Sequence, residues 1–189
     1  MKPDTRNALR AAGLVLLDDY DGPGAVIPAL VTAQAPSYPV EERWAWAATY
    51  FTDPLLHGKA NSDWYRISLE TGLFSETDPR FLMAYLPGED GPSEWLCVEL
   101  QEDWDIMGTG AAALLGSAWC RPEFRFLSLD GSVLVSSTTG EDALDTFAAR
   151  EPDRSSYLPR YAAWLATLED LHPGDVAAIR RWLQRIRWS

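Results

Sequence analysis

A β-hairpin is the strongest prediction from the pattern of hydrophobic and polar positions along the chain. In the stretch Glu123 to Arg150, the pair Asp130-Gly131 lies between two β-rich runs. Asp-Gly between such runs favours a tight turn of type I′, in which both central residues have positive φ. Counting outward from this turn pairs Phe126 with Val135. Four apolar side chains then share one face of the hairpin: Phe124, Phe126, Val133 and Val135.

A helix is predicted directly after this hairpin. Thr138 and Glu141 have the spacing of a capping box, in which each side chain satisfies an orphan backbone donor at the start of a helix. Leu144, Phe147 and Ala148 then recur at helical spacing. We expect this helix to cover the apolar face of the hairpin.

The chain before the hairpin is predicted to begin with helices and to continue with strands. Asp4 caps a first helix that runs to about Ala12, and Gly13 ends it. Apolar positions between Val40 and Phe51 trace one face of a second helix. The polar segment 55–63 is predicted to be a loop. From Trp64 to Leu69 the apolar period changes to two, which is typical of a half-buried strand.

Two further strands and two C-terminal helices complete the predicted elements. The runs Phe81 to Leu86 and Trp95 to Leu100 carry large side chains on both faces, which indicates strands inside the sheet rather than at its edge. Ser155 or Ser156 can cap the next helix, and Asp175 can cap the last one.

These elements predict a single α+β domain over residues 1–189. A mainly antiparallel sheet of about five or more strands carries the N- and C-terminal helices packed on one of its faces. The order along the chain has three parts: helical residues 1–56, sheet-rich residues 64–137 and helical residues 141–189. The length is sufficient for one hydrophobic core without disulfides.

The charge of the chain limits the classes of partner. The net charge is -12, from 28 acidic and 16 basic residues. Nucleic acid is therefore excluded as a direct ligand, since phosphate binding depends on Lys and Arg. The charge suits a basic protein partner, or solubility alone. We expect no membrane span, because no apolar run reaches about 18 residues, and no signal peptide, which together predict a cytoplasmic protein.

Tryptophan provides the candidate contact residues. Of the nine tryptophans, Trp44, Trp164 and Trp182 lie on predicted apolar helix faces. Trp46, Trp104, Trp119 and Trp188 have no evident core register, and exposed tryptophan is enriched at interaction hot spots. Trp104 lies among acidic residues, so the predicted partner-binding residues are those of one loop: Glu102, Asp103, Trp104 and Asp105.

Two other segments resemble ligand-binding sites, but we interpret them as a glycine turn and as a solvated acidic loop. Gly108 to Ala113 matches a loose dinucleotide-binding pattern, and Asp130 follows about 20 residues later. The preceding run is acidic, however, and Asp130 belongs to the hairpin turn, so we expect no bound cofactor. Asp18, Asp19 and Asp21 are oxygen ligands suited to a hard metal, but the complete calcium-loop pattern is missing. We predict a solvated acidic loop there and no metal site.

A cysteine-dependent enzyme is an alternative interpretation. It requires Cys97 or Cys120 to meet one of the two histidines, His57 and His172. Cys97 lies within a predicted strand. Cys120 lies in a predicted loop beside Arg121, which would lower the pKa of the thiol. His172 precedes a proline at a predicted helix break and is interpreted as a capping or surface residue. No pattern in the sequence assigns a catalytic residue.

The run Phe126 to Val133, with a polar turn and a predicted helix near Asp142 that contains Phe147, resembles the later part of the SUKH (SMI1/KNR4-like) superfamily. The resemblance implies a single α+β domain. It also implies the role of many bacterial members, which bind and neutralise a toxin delivered by neighbouring cells. No catalytic residue carries over from it. Many such toxins are basic nucleases, which the acidic charge of this chain would suit.

Three functions follow as hypotheses. The first is a non-catalytic protein-binding domain, in its specific form a bacterial immunity protein that neutralises a basic toxin. The second is an enzyme with a carboxylate or cysteine site that the sequence does not reveal. The third is a cytosolic structural or regulatory adaptor, which would associate through its C-terminal helices.

Overall fold

A sheet of antiparallel strands forms the centre of the fold. The computed structural model describes residues 3–18, 27–87 and 91–186. It contains nine strands: β1 (Leu14–Leu16), β2 (Ala45–Tyr50), β3 (Arg80–Tyr85), β4 (Glu94–Leu100), β5 (Gly116–Ala118), β6 (Arg121–Pro122), β7 (Phe124–Leu127), β8 (Val133–Thr139) and β9 (Ala143–Arg150). Seven of them form one sheet in the order β1-β4-β3-β7-β8-β9-β2, while β5 and β6 form a separate pair. Strands β1 and β2 are therefore the edges.

The helices confirm an α+β fold. Four are α-helices: α1 (Pro3–Ala11), α2 (Leu56–Thr71), α3 (Leu158–Leu165) and α4 (Pro173–Ile186). Shorter helical segments are the 3-10 helices Ala29–Ser37, Val40–Glu42 and Pro152–Arg154 and the π-helix Ile106–Gly110. Within the described residues, no helix is both long and apolar enough to cross a membrane.

Helices cover both faces of the sheet, whereas the sequence predicted one. The first core lies between the sheet and α2, where Trp64 is fully buried. The second lies on the opposite face, under α3, α4 and the 3-10 helix Ala29–Ser37, around Trp182. The reason is visible in β3, where Phe81 belongs to the first core and Leu82 to the second. A strand that is apolar on both sides requires cover on both sides.

The hairpin of β7 and β8 has the predicted register. Phe126 is opposite Val135 and Leu127 is opposite Leu134. The turn differs from the predicted type I′, because Gly131 has a φ of +78° while Asp130 stays at negative φ. The Gly131 N–H donates to the Ser128 carbonyl, and the Asp130 carboxylate accepts from the Ser132 N–H and hydroxyl. Asp130 is thus fixed by its turn.

Gly131 is the position at which this turn depends on glycine. We expect Gly131→Val to lower the free energy of unfolding by at least about 1–2 kcal/mol, because an L-residue is strained at positive φ. Gly58→Ala is the matched control, since a Cβ at Gly58 meets nothing within 4 Å. That control should leave stability unchanged or raise it. Urea denaturation of both variants measures the difference, and equal stabilities would contradict this role of the turn.

The segment after the hairpin is a strand, so the prediction of a helix from residue 141 is wrong. In β9, Ala148 pairs with Val135 and Phe147 pairs with Ser136. The capping-box spacing of Thr138 and Glu141 is not used, because a turn at Gly140 sends the chain back along β8. The apolar residues of this segment fit the spacing of a helix as well as the alternation of a strand. The segment forms a strand because it pairs with the open edge of β8.

The elements between residues 39 and 71 were predicted in the wrong states. The predicted helix from Val40 to Phe51 is a 3-10 turn followed by edge strand β2. The predicted loop 55–63 and the predicted strand Trp64 to Leu69 together form helix α2. The buried residues of this part of α2 have helical spacing: Trp64, Ile67, Ser68 and Thr71. The helical pattern was not recognised in the sequence because apolar and polar residues also alternate from Tyr65 to Leu69.

Several predicted boundaries are confirmed. Gly13 ends α1 with a φ of +78°, and strands β3 and β4 pair inside the sheet. Ser155 accepts a hydrogen bond of 2.9 Å from the Leu158 N–H at the start of α3. Asp175 lies in the first turn of α4, but its carboxylate accepts from the Ser93 N–H at 2.9 Å and so holds the loop before β4.

Candidate functional site

The acidic loop 102–105 is exposed at its start and packed inward at its end. Glu102 and Asp103 are exposed. Trp104, which the sequence proposed as the contact residue, is half-buried: its ring stacks on Tyr65 at 5.2 Å and meets Trp64 edge-on at 5.2 Å. Trp104 therefore closes the first core, and the two acids before it remain available at the surface.

Asp105 gathers five hydrogen-bond donors from α2 and from the π-helix that follows it. Its Oδ1 accepts from His57 Nε2 at 2.7 Å, from Asn61 Nδ2 at 2.8 Å and from the Gly108 N–H at 3.0 Å. Its Oδ2 accepts from the Thr109 N–H at 2.8 Å and from the Thr109 hydroxyl at 2.9 Å. We call Asp105 and its partners His57, Asn61, Gly108 and Thr109 the Asp105 cluster.

The Asp105 cluster keeps its carboxylate ionised. Burial raises the pKa of Asp105, but the hydrogen bonds from His57, Thr109 and Asn61 outweigh it and hold the pKa well below its ordinary value. Because the donors lie on two separate elements, the charged carboxylate joins α2 to the loop 105–109. It acts as a structural link rather than as a proton donor.

The cluster fixes the orientation of His57. Asn61 Oδ1 accepts from the Met107 N–H at 3.0 Å, so the Asn61 amide nitrogen is the atom that faces Asp105. His57 Nε2 faces the same carboxylate and therefore carries a proton. The other ring nitrogen, Nδ1, makes no hydrogen bond with any residue the structure describes. Nδ1 can therefore accept a hydrogen bond from a ligand.

Trp119 lies over this histidine. Its ring is tilted against the His57 ring at a centroid distance of 4.8 Å, yet 54% of Trp119 is exposed. Gly108 permits this approach, because a Cβ there would lie 2.4 Å from His57 Nε2 and 2.7 Å from Trp119 Cζ2. Trp119 is therefore an exposed aromatic side chain packed against the Asp105 cluster.

The two glycines of the dinucleotide-like pattern, Gly108 and Gly110, belong to the loop that holds Asp105. The N–H groups of Gly108 and Thr109 both donate to Asp105. They are consequently not free to bind a phosphate, which the dinucleotide-binding loop requires. Gly110 also lies in the π-helix Ile106–Gly110, whereas the pattern requires the start of a crossover helix.

The cysteines do not form the site that a cysteine enzyme requires. Cys120 is 6% exposed. Burial raises the pKa of its thiol, and the nearby Asp105 raises it further. The expectation that Arg121 lowers this pKa is wrong, since the Arg121 guanidinium lies over the Phe51 ring. Burial also raises the pKa of Cys97, in the second core. In the part of the chain that the structure describes, no hydrogen bond joins either thiol to a histidine.

The remaining candidate groups are placed as follows. Asp18 pairs with Arg6 at 2.5 Å, while Asp19 and Asp21 lie outside the described residues. Within the ranges described, no group of three or more His, Cys, Asp or Glu side chains is suited to a metal. His172 is exposed, and its Nδ1 accepts from the Gly174 N–H at 3.1 Å, which confirms a surface capping role.

The tryptophans divide differently from the prediction. Trp182 is buried as expected, but Trp164 is 54% exposed and Trp44 is 39% exposed. Trp46, on edge strand β2, is 55% exposed. Trp188 lies outside the described residues. Exposed tryptophans therefore occur at separate places on the surface, of which only Trp119 is stacked on the Asp105 cluster.

The sequence indicates Asp105 as a site residue but not the partners that hold it. His57 and Asn61 are four residues apart and therefore lie on one face of α2. That spacing was the available signal, and it was missed because residues 55–63 were interpreted as a loop. Comparison of the chain with protein-family models, with curated proteins and with solved structures gave no match.

Proposed function

We propose that this protein is a non-catalytic protein-binding domain whose contact surface is built around Trp119. The observation that carries the proposal is an exposed tryptophan packed on His57 of the Asp105 cluster. Glu102 and Asp103, which are exposed on the loop that ends at Asp105, supply the acidic groups of the proposed surface. We call this the Trp119 surface and define it by Trp119, His57, Glu102 and Asp103. Relative to the sequence hypothesis, Trp119 replaces Trp104 as the aromatic contact, and Asp105 supports the surface from beneath.

The chemistry of the Trp119 surface favours a basic partner. A Lys or Arg side chain can lie over the exposed indole while its charge is attracted by Glu102 and Asp103. The net charge of -12 would accelerate the approach of a positively charged protein. Since Trp119 is already held against His57, little side-chain freedom is lost on binding.

The specific form of the proposal is a bacterial immunity protein that neutralises a basic toxin. It rests on the SUKH resemblance together with the acidic charge. The helix that formed part of this resemblance is strand β9, so the resemblance now rests on the hairpin of β7 and β8. Binding to a basic toxin encoded by a neighbouring gene is the experiment that separates this form from other protein partners.

Trp119→Ala should weaken binding to that toxin by at least about tenfold, because truncating a hot-spot tryptophan removes more than about 1.4 kcal/mol. Trp164→Ala is the matched control, since Trp164 is equally exposed at 54% and lies on α3. Calorimetric titration of both variants measures the effect. Equal losses for the two variants would contradict the proposed surface.

Charge reversal with Glu102→Lys should also weaken binding to the toxin. The loss of affinity should be larger at low salt than at high salt, because salt screens the interaction between exposed charges.

A second candidate function is an enzyme that uses His57 as a general base. The observation that favours it is the orientation of His57 by Asp105, which leaves Nδ1 facing away from the carboxylate. His57→Gln should then abolish turnover in a protein that stays folded, as an unfolding measurement on the same variant shows. Loss of binding without any turnover in the unaltered protein would favour the protein-binding function instead.

A further inference from the structure

The outer edge of β2 is an unprotected strand edge. In the part of the chain that the structure describes, β2 pairs with one strand, β9. Its sequence, AWAATY, has no charged residue, proline or glycine. Natural sheets normally use such residues, or a very short strand, to block edge-to-edge pairing. The opposite edge follows that rule, because β1 has only three residues, while β2 has six.

The backbone of β2 offers a regular set of unpaired groups. The Phe51 N–H donates to the Asp142 carbonyl in register with the pairing of Tyr50 and Ala143. Since N–H groups alternate in direction along an antiparallel strand, the N–H groups of Trp46, Ala48 and Tyr50 point away from β9. They and their carbonyls can pair with another strand.

The side chains above this edge are exposed aromatics. Trp46 and Tyr50 are each 55% exposed on the face of the sheet opposite α2. The odd-numbered residues of β2 point to the other face, where the Thr49 hydroxyl donates to Asp63. The edge therefore presents unpaired backbone and two exposed aromatic side chains, Trp46 and Tyr50, four residues apart.

We propose that β2 pairs with β2 of a second copy of this chain in antiparallel orientation, with Ala48 on the two-fold axis. In this register the two Ala48 residues form a hydrogen-bonded pair. Trp46 of each copy lies opposite Tyr50 of the other, which gives two aromatic cross-strand pairs on the same face. The small Ala48 side chains between them leave room on the axis. The two sheets become one continuous sheet.

A second copy of this chain is the occupant that matches this edge. A two-fold interface requires the same patch to match itself, and this strand does so in its outward backbone groups and in its aromatic pairs. Arg43 and Asp53, which this register places opposite each other, are engaged within their own chain. The Arg43 guanidinium donates to the Tyr38 carbonyl at 3.1 Å and Asp53 accepts from Lys59 Nζ at 3.0 Å, so the pairing rests on the backbone and on the aromatic pairs. Glu42, next to Arg43, is engaged by the Ser156 N–H at 3.2 Å.

The interface is small, and the dimer is correspondingly weak. Four half-exposed aromatic side chains contribute about 400 Å² of buried surface, which with the backbone stays below the about 1,200 Å² of a standard interface. We expect a dissociation constant of about 1–100 µM. Salt should strengthen the dimer, because it screens the repulsion between two chains of charge -12. Binding of a basic partner would respond to salt in the opposite direction.

Sedimentation of the full chain between about 1 and 500 µM tests the proposal. The average mass of the unaltered protein should rise from 21.1 kDa towards twice that value. Ala48→Pro removes an outward N–H without touching the pairing with β9, and Trp46→Lys places a charge on the edge. Both variants should stay monomeric and unfold cooperatively, and Trp46→Lys should lose only the stability that its exposed hydrogen bond to Asp145 contributes. Trp164→Lys, at a tryptophan of equal exposure on α3, should dimerise normally.

A cross-link tests the register separately. A hydrogen-bonded pair places its Cα atoms about 5.5 Å apart, within the range of a disulfide. Ala48→Cys should therefore form an intermolecular disulfide on mild oxidation, with little background from the buried Cys97 and Cys120. A monomer at every concentration would overturn the proposal. So would dimers that persist in Ala48→Pro and Trp46→Lys, or failure of Ala48→Cys to cross-link in a protein that dimerises.

Discussion

Replacement of Trp64 by alanine should lower the free energy of unfolding by about 3–5 kcal/mol. Trp64 is fully buried and lies within 6.5 Å, centroid to centroid, of five aromatic rings: Tyr65, Phe74, Phe81, Trp104 and Phe126. It connects α2 to the sheet and to the acidic loop. The loss is a large part of the about 5–15 kcal/mol available to a domain of this kind, and guanidinium denaturation with linear extrapolation measures it.

Two controls separate this effect from the loss of any tryptophan. Trp64→Phe should lose much less, because it keeps an aromatic ring and removes Nε1, which has no hydrogen-bond partner among the described residues. Trp164→Ala, at an exposed position, should stay within about 0.5 kcal/mol of the unaltered protein. A Trp64→Ala protein of nearly unaltered stability would contradict the central place of Trp64 in the first core.

Asp105→Asn should lower the free energy of unfolding at neutral pH by about 2–4 kcal/mol. The substitution replaces one acceptor oxygen of the carboxylate by an NH2 donor group. In one orientation of the amide this NH2 group faces the His57 donor, and in the other it faces the Thr109 N–H, so a hydrogen bond is lost in both. The link between α2 and the loop 105–109 is weakened at the same time. Asp103→Asn, exposed on the same loop, is the control and should change stability by less than about 0.5 kcal/mol.

The effect of Asp105→Asn should depend on pH in a defined direction. The pKa of Asp105 is lowered in the folded state, although burial opposes the shift, because the hydrogen bonds favour the charged form. The stabilisation is therefore fully present above the unfolded pKa of about 3.9 and is lost as the pH falls from there towards the folded pKa. Denaturation at neutral pH and near about pH 2.5 should show the difference between the two proteins shrinking in acid. A constant difference would contradict the role of the charge.

Local signals in the sequence were sufficient for some parts of the fold. The register of the β7–β8 hairpin follows from the position of Gly131 and from side-chain alternation, and both are local. Gly13 marks the end of α1 in the same way. Strands β3 and β4 were recognised as interior because their large residues face both sides.

The parts that failed depend on partners distant in the chain. Strand β2 pairs with β9, about a hundred residues away, as in the hydrogen bond of 3.2 Å between Trp46 and Asp145. A strand defined by such a partner carries no local signal against a helix. The same holds for β9, whose apolar spacing fits both periods. Because helix α2 was not predicted, the sequence did not show that His57 and Asn61 lie on the same helix face. The acidic loop was therefore interpreted from its composition alone.

The pairing of β2 with β9 also has a consequence for biosynthesis. Ribosomes add about 5–20 residues per second, so the roughly hundred residues between the two strands take about 5–20 s to make. During this time the aromatic strand Ala45–Tyr50 has emerged without its partner. The nascent chain consequently exposes an aggregation-prone segment early in translation. A chaperone that holds residues 44–50 until Arg150 has left the ribosome would raise the yield of folded protein more than one that acts on the finished chain.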